Sequence, residues 1–461
     1  MKPSKQLTLF DMTIIMVSFV IGMGIFRTPI NVAKAVNSPA IFFAAWIVGG
    51  LIALCGALTY AEIGSRMPVT GGYYKIFAYA YHPSIAFAVN CIILVSNAAS
   101  LGAVALVGGE YITGVFVPQL QNVKWILNPA NAQHIQTVQI IIAVTAVVIF
   151  YGINLLGLKM SARTQNVLTV IKILMVILLI SPLFFASGSA HSIIIPSSHT
   201  SPIVWEYLKS FGVGLVAVSF TYGGYQQTIN FGEEVNNPKK TIPRSIFSGI
   251  IIIIILYLLI NYAYVKVIGF EELKSAKNIA AIMASKIFGV NAERILSVLL
   301  FLSVLAYVNV LLMSNPRVMA AMSDDHILPP AFKKRNAKTE VLTTSLSVFS
   351  AICILIIFWA KEFDNILSFT IFLDCFGMVL SAGSIFIIRK RTTNLNDSGI
   401  FMMKWYPLMP IIFITAYIFV GISIFVTDTK ISLVGLGVLA VFMILYFVVE
   451  AVQKKNKSSD E

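Results

Sequence analysis

Val20-Ile21-Gly22-Met23-Gly24-Ile25-Phe26 and Phe220-Thr221-Tyr222-Gly223-Gly224-Tyr225-Gln226 are the two stretches on which the reading of this chain turns. Each lies inside an apolar run long enough to cross a bilayer. Glycine destabilises a helix interior by up to about 1 kcal/mol relative to alanine. In hydrocarbon, unwound backbone is tolerated only where it is buried in protein or lines a cavity. Taken singly, either glycine pair is read equally well as letting helices approach closely. Their recurrence five spans apart, one opening each half of the chain, points instead to an inverted repeat built around a midplane site.

Working outward, the composition agrees with a membrane-embedded chain. Of 461 residues, 58% are apolar and 11% charged, with mean hydropathy +0.86. Soluble domains carry roughly 25% charged residues, so an ordinary soluble enzyme is excluded, as is a disordered chain. The net charge of +13 does not indicate nucleic acid, because the bases sit between apolar runs rather than on one face. Cys55, Cys91, Cys353 and Cys375 all lie within apolar runs, so no disulfide framework is implied. The five histidines fall in or beside polar connections, which speaks against a membrane-embedded zinc or histidine enzyme.

The apolar runs predict twelve helices, over 9–35, 39–66, 83–115, 135–155, 161–187, 205–235, 243–267, 291–321, 341–360, 364–389, 404–427 and 430–452. With the N-terminus inside, the inner connections hold 21 Lys and Arg and the outer ones 10, which predicts a multi-pass protein of the cytoplasmic membrane with both termini cytosolic. Residues 1–8 form a cytosolic N-terminus. The first five-helix repeat covers 9–187, the second, inverted repeat 205–390, two further helices 404–452 and a cytosolic tail 453–461. The longest polar connection, 268–293, contains a candidate short helix, Asn278 to Phe288.

The breaks have a chemistry of their own. A broken helix exposes unpaired N–H groups on one half and unpaired C=O groups on the other. The N–H end attracts a carboxylate and the C=O end an ammonium. An amino acid zwitterion carries both. The backbone of Gly22, Met23 and Gly24 is expected to take the carboxylate, and the carbonyls of Ile21 and of Phe220, Thr221, Tyr222 and Gly223 the ammonium. Met23, Ile25, Phe220, Tyr222 and Tyr225 then predict a mostly apolar pocket with Gln226 as its polar edge. No Asp or Glu lies in either break, which favours neutral substrates.

These residues resemble the amino acid–polyamine–organocation superfamily, and its L-type amino acid transporter branch in particular. The resemblance spans about residues 5–425. It rests on Ile21 to Phe26, on Gly56-Ala57-Leu58-Thr59-Tyr60-Ala61-Glu62-Ile63-Gly64 with Pro68 and Gly71-Gly72-Tyr73, on Phe220 to Tyr225 leading to Glu233-Glu234-Val235-Asn236-Asn237-Pro238 and Ile242-Pro243-Arg244, and on Asn315-Pro316-Arg317 leading to Asp324 and Leu328-Pro329. Met23 stands where a small residue is more usual. The resemblance implies an all-α, twelve-helix LeuT-type fold, a 5+5 inverted repeat with discontinuous helices 1 and 6, and transport of amino acids by alternating access. It implies that Phe220 gates the site from outside and that Lys172 stands where sodium-coupled relatives bind sodium. Tyr225 replaces a commoner tryptophan, which bears on substrate size.

Charge inside the membrane is costly and marks function. Lys172 would either replace a sodium ion electrostatically at the first break, release a proton during the cycle, or only tether helices. Glu62, Arg66, Glu233 and Glu234, with Lys239, Lys240 and Arg244, form either a cytosolic gate or a set of solvated helix ends. Asp374, about ten residues into span 10, is a proton site or the partner of a polar neighbour. Ser96, Asn97, Ser100, Asn261 and Tyr264 would reach the pocket or bond between helices. The expected activity is sodium-independent exchange of neutral L-amino acids. The alternatives are proton symport, a cationic amino acid or polyamine substrate, and a non-transporting amino acid sensor. The expected partners are a small amino acid and the lipid bilayer. No metal, cofactor or enzymatic turnover is expected.

Overall fold

The structure is a computed structural model describing residues 6–22, 24–36, 38–116, 129–185, 204–276, 279, 282–283, 286, 290–359, 363–395 and 399–459. Met23, most of the Asn278–Phe288 segment and the last two residues lie outside the described residues, as does the side chain of Phe220. The described part is all-helical. Its longer helices are α1 (Leu9–Val20), α2 (Gly24–Ala35), α3 (Pro39–Arg66), α4 (Gly72–Ala80), α5 (Pro83–Phe116), α6 (Pro129–Leu155), α7 (Leu158–Ile180) and α8 (Val204–Tyr222) in the first half of the chain. In the second half are α9 (Pro238–Val267), α10 (Val290–Asp324), α11 (Thr343–Trp359), α12 (Phe363–Arg391), α13 (Leu408–Thr427) and α14 (Thr429–Ser459).

Helix ends are written in the sequence. Thr8 opens α1 with a reciprocal cap: its hydroxyl accepts the Asp11 amide at 3.2 Å, and Asp11 accepts the Thr8 amide at 2.9 Å. Ser38 caps α3 by accepting the Ile41 amide, with Pro39 at the first helical position. Among the described residues, ten helical stretches are long and apolar enough to cross a membrane. The expected sixth and ninth spans correspond to two shorter apolar stretches, Ser210–Ser219 and Thr343–Phe358. The sixth span is α8, which stops at Tyr222. The chain then turns at Gly223–Gly224 and continues as 3₁₀ helix over Tyr225–Asn230 and Gly232–Glu234.

Burial sorts the helices into a centre and a periphery. The apolar window of α5 is 72% buried and that of the Leu9–Ala35 stretch 71%, against 11% for α14. Outward-facing Ile149, Leu174, Ile255, Leu355, Ile422, Val434 and Ile444 are exposed, as a lipid-facing surface requires. Among the larger packing pairs are α3 with α9, α5 with α10, α1 with α9, α5 with α6, α12 with α13, α7 with α10, α5 with α12, α3 with α8 and α2 with α8. At the pole where α1 starts, the Gln6 and Leu7 amides donate to the Glu234 carbonyl, and the Asn236 amide donates to Leu7. These bonds tie the N-terminal segment to the stretch that follows the second glycine pair.

Candidate functional site

The two glycine-bearing stretches meet in the middle of the bundle. A Cβ added at Gly24 would lie 3.0 Å from the Thr221 hydroxyl and 3.2 Å from its Cα. A Cβ added at Gly224 would lie 2.6 Å from the Phe19 carbonyl oxygen, and Gly224 holds φ +114°, a conformation that only glycine adopts easily. Tyr257 of α9 spans the junction, its hydroxyl 2.9 Å from the Val20 carbonyl and 3.3 Å from that of Thr221. The first amides of α2 have no intrahelical partner by helix geometry, and neither do the last carbonyls of α8. Both ends therefore border one space.

That space is a cavity lined by Gly22 and Gly24 from one break and by Thr221, Gly223, Gly224 and Gln226 from the other. Its far wall comes from α5, α10 and α12. Ser96, Asn97 and Ser100 of α5, Tyr307 of α10, and Thr370 and Asp374 of α12 form it. Ser100 and Tyr307 share a hydrogen bond of 2.8 Å, and Ser96 donates to Asp374 Oδ1 at 2.9 Å. Asn97 donates to Asn315 at 2.7 Å. The lining stays mostly apolar, with Phe19, Val20, Val104, Leu311, Ile371 and Met378, and gains from α5, α10 and α12 the hydroxyl, amide and carboxylate groups just named.

Several expected residues fall elsewhere. Tyr222 turns its ring onto Trp46 and Tyr257, at centroid distances of 5.9 and 5.1 Å, and donates to the Trp46 carbonyl. Tyr225 packs on Tyr60 at 5.9 Å. Ile25 is fully buried and does not line the cavity. The reason is helical periodicity: with the backbone of each break turned to the cavity, neighbouring side chains point into the surrounding packing. Gln226 lines the cavity but also bonds the Gly224 amide at 2.9 Å. Of the two α9 candidates, neither Asn261 nor Tyr264 lines it. Tyr307, Gln227, Thr370 and Tyr417 line it without having been singled out. Their only signal was a hydroxyl or amide within an apolar run.

Lys172 is completely buried and donates to the Ile21 carbonyl at 2.5 Å. That carbonyl, one of those assigned to a substrate ammonium, thus already accepts a hydrogen bond from the chain's own Lys172 Nζ. Beside it runs a ladder of side-chain amides. Gln165 donates to Ser18 at 2.5 Å, Asn309 to Gln165 at 2.7 Å, and Asn154 to Asn309 at 2.9 Å.

The charges near the N-terminal pole form two clusters rather than one. Glu62 takes Arg66 at 2.8 Å and holds Arg389 in a bidentate pair at 2.7 and 2.8 Å, with the Met403 amide at 2.9 Å. Glu234 pairs with Arg317 at 2.5 Å and with Arg335 at 3.4 Å. Glu233 is exposed and accepts the Thr70 hydroxyl. Arg389, Arg317 and Arg335 are distant in sequence from their partners, so no local spacing announces them. Outside the spans, burial pushes the Tyr81 hydroxyl up to about 12, and it donates to the Leu380 carbonyl. Among the described residues, no group of three or more His, Cys, Asp or Glu is placed to hold a metal ion.

Comparison with known proteins adds family evidence. The profile of the amino acid permease family matches residues 7–449. The chain is similar to the serine/threonine exchanger SteT of Bacillus subtilis (strain 168), 27% identical over 441 residues, covering 94% of this chain and 95% of that protein. It is also similar to the human large neutral amino acids transporter small subunit 2, 24% identical, covering 98% of this chain and 82% of the relative. The human cystine/glutamate transporter is 25% identical, with 85% of this chain and 75% of that protein covered. A central cavity bordered by two helix ends, in a bundle matched by one profile along nearly its whole length, makes this chain a member of the amino acid permease family, within the amino acid–polyamine–organocation superfamily.

Proposed function

We propose that this protein is a sodium-independent exchanger of small neutral L-amino acids in the cytoplasmic membrane, working by alternating access with both termini cytosolic. The observation that carries the reading is the shared cavity of the two glycine breaks. The amides at the start of α2 would hold the substrate carboxylate, and carbonyls at the end of α8 its ammonium. The likeness to an exchanger of serine and threonine supports a small, polar cargo. So do the hydroxyl and amide groups of Ser96, Asn97, Ser100 and Thr221 around the cavity.

The reading includes a twelve-span LeuT-type fold with discontinuous helices 1 and 6. The packing pairs support it. Shifting each span by five converts the α1–α9 contact into α8–α3 and the α5–α12 contact into α10–α7, while α3–α9 and α5–α10 map onto themselves. A two-fold relation between repeats has that signature. Lys172 then acts as a fixed cation at the first break, where it holds the Ile21 carbonyl in place of a sodium ion. Phe220 is the proposed outer gate, with Glu62, Arg66, Glu233 and Glu234 on the cytosolic side.

Counterflow in proteoliposomes tests this. Labelled serine should enter vesicles preloaded with unlabelled serine, stay outside empty ones, and enter equally in sodium and choline media. Entry into empty vesicles only under an imposed proton gradient would instead establish symport.

A further inference from the structure

A second cavity opens on the lipid-facing side of the bundle, as a groove between α12 and α13 with α14 at its edge. It encloses about 400 Å³. Phe372, Cys375 and Tyr417 are buried at its floor, whereas Ile422, Phe425 and Leu436 are exposed at its rim. Apart from the Tyr417 hydroxyl and the Cys375 thiol, the lining is apolar. All three helices are long and apolar enough to cross a membrane. Along α12 the lining residues lie about 14 to 26 Å from Arg389, which pairs with Glu62 near the N-terminal pole. The groove therefore lies at the depth of the hydrocarbon core, which is about 30 Å thick.

The shape and chemistry of the groove say what fills it. A water molecule needs roughly two to four polar partners, which this lining does not offer. An empty recess would forfeit dispersion contacts along its walls. Packed helix axes run about 8–10 Å apart, and a helix with its side chains is about 10–12 Å across, so the gap between two neighbouring helices admits one hydrocarbon chain but not a further helix. It runs beside both helices for about 12 Å, over Phe372 to Leu380 and Tyr417 to Phe425. Gly421 makes the room. A Cβ there would meet the Cys375 Cβ at 3.6 Å, an ordinary contact, so helix packing does not require a glycine, whereas a longer side chain would occupy the groove.

The groove also borders the substrate space. Tyr417 lines both it and the central cavity, and the consecutive residues Asp374 and Cys375 fall on opposite sides, Asp374 in the cavity and Cys375 in the groove. We propose that this groove is a binding site for one acyl chain of a membrane phospholipid, and that the Tyr417 side chain is the partition that keeps this chain out of the central cavity. The proposal is independent of the exchanger reading, because no substrate enters its test.

Photolabelling of the full chain supplies that test, in phosphatidylethanolamine–phosphatidylglycerol vesicles containing a phospholipid with a diazirine at mid-chain. Label mapped on peptides should favour 372–380 and 417–425 over the stretch of α14 that exposes Val441, Ile444 and Val448 by about fivefold, a preference of about 1 kcal/mol. Gly421→Leu should abolish that preference. Label spread in proportion to exposure overturns the proposal, and this arm needs no variant to fold. A preference that survives Gly421→Leu overturns it equally. Exclusion of the label from the groove, with crosslinks between chains through α12 and α13, would assign the groove to a second copy and overturn it too. Wild type should carry no label above background on Ser96 to Ser100, which line the central cavity. Tyr417→Ala, or the milder Tyr417→Leu, should carry it there. Label on that stretch in wild type, or none in a folded Tyr417 variant, overturns the partition.

Discussion

At the scale of single residues, two glycines of one motif carry different loads. Gly24 meets Thr221 at 3.0 Å, whereas a Cβ on Gly22 would meet only the Tyr307 ring at 3.7 Å, an ordinary contact. Overpacking of a filled interior costs about 1–3 kcal/mol. Gly24→Ala is therefore expected to lower the thermal stability of the solubilised protein by about that much, and Gly22→Ala by less than about 1 kcal/mol. Equal losses in the two variants would show that the breaks do not pack against each other. The glycine spacing made both residues visible in the sequence, but only the neighbour across the break separates their roles. Tyr222 and Tyr225 teach the converse: they sit within a binding motif, yet the rings of Trp46, Tyr257 and Tyr60 claim them.

At the scale of elements, the buried carboxylates act as clamps between helices. Glu62 joins α3 to Arg389 of α12 and to the Met403 amide, while Glu234 joins the 3₁₀ stretch to Arg317 of α10 and to Arg335. Removing one partner of a buried pair leaves a stranded charge and costs about 3–5 kcal/mol. Glu62→Gln should therefore unfold at a clearly lower temperature than wild type, whereas Glu233→Gln should unfold within the error of the measurement, because Glu233 is exposed. A silent Glu62→Gln would reduce that cluster to solvated helix ends. The Glu62–Arg66 spacing of four residues was legible as one helical turn. Arg389, 327 residues from Glu62, was not, because no local periodicity links two helices from different halves of the chain.

For the whole molecule, the excess of Lys and Arg in alternate connections predicts which way the bundle lies. Reporter fusions check this: a green fluorescent protein at either terminus should fluoresce, and an alkaline phosphatase at either should stay inactive. Opposite behaviour at the two ends would break the even span count. The packing pairs related by a shift of five spans are those that a two-fold relation between two repeats would produce.

Composition and hydropathy by themselves determined that this is a helical bundle in a membrane, and the paired glycines marked where its backbone opens. Those properties follow from the chain's local pattern, because hydrocarbon forces each span to satisfy its own backbone. The polar wall of the cavity, the arginine partners of Glu62 and Glu234, and the placing of Asp374 opposite the breaks were decided by tertiary structure alone. They depend on which faces of distant helices are turned together, and a single polar residue in an apolar run does not say which way it points.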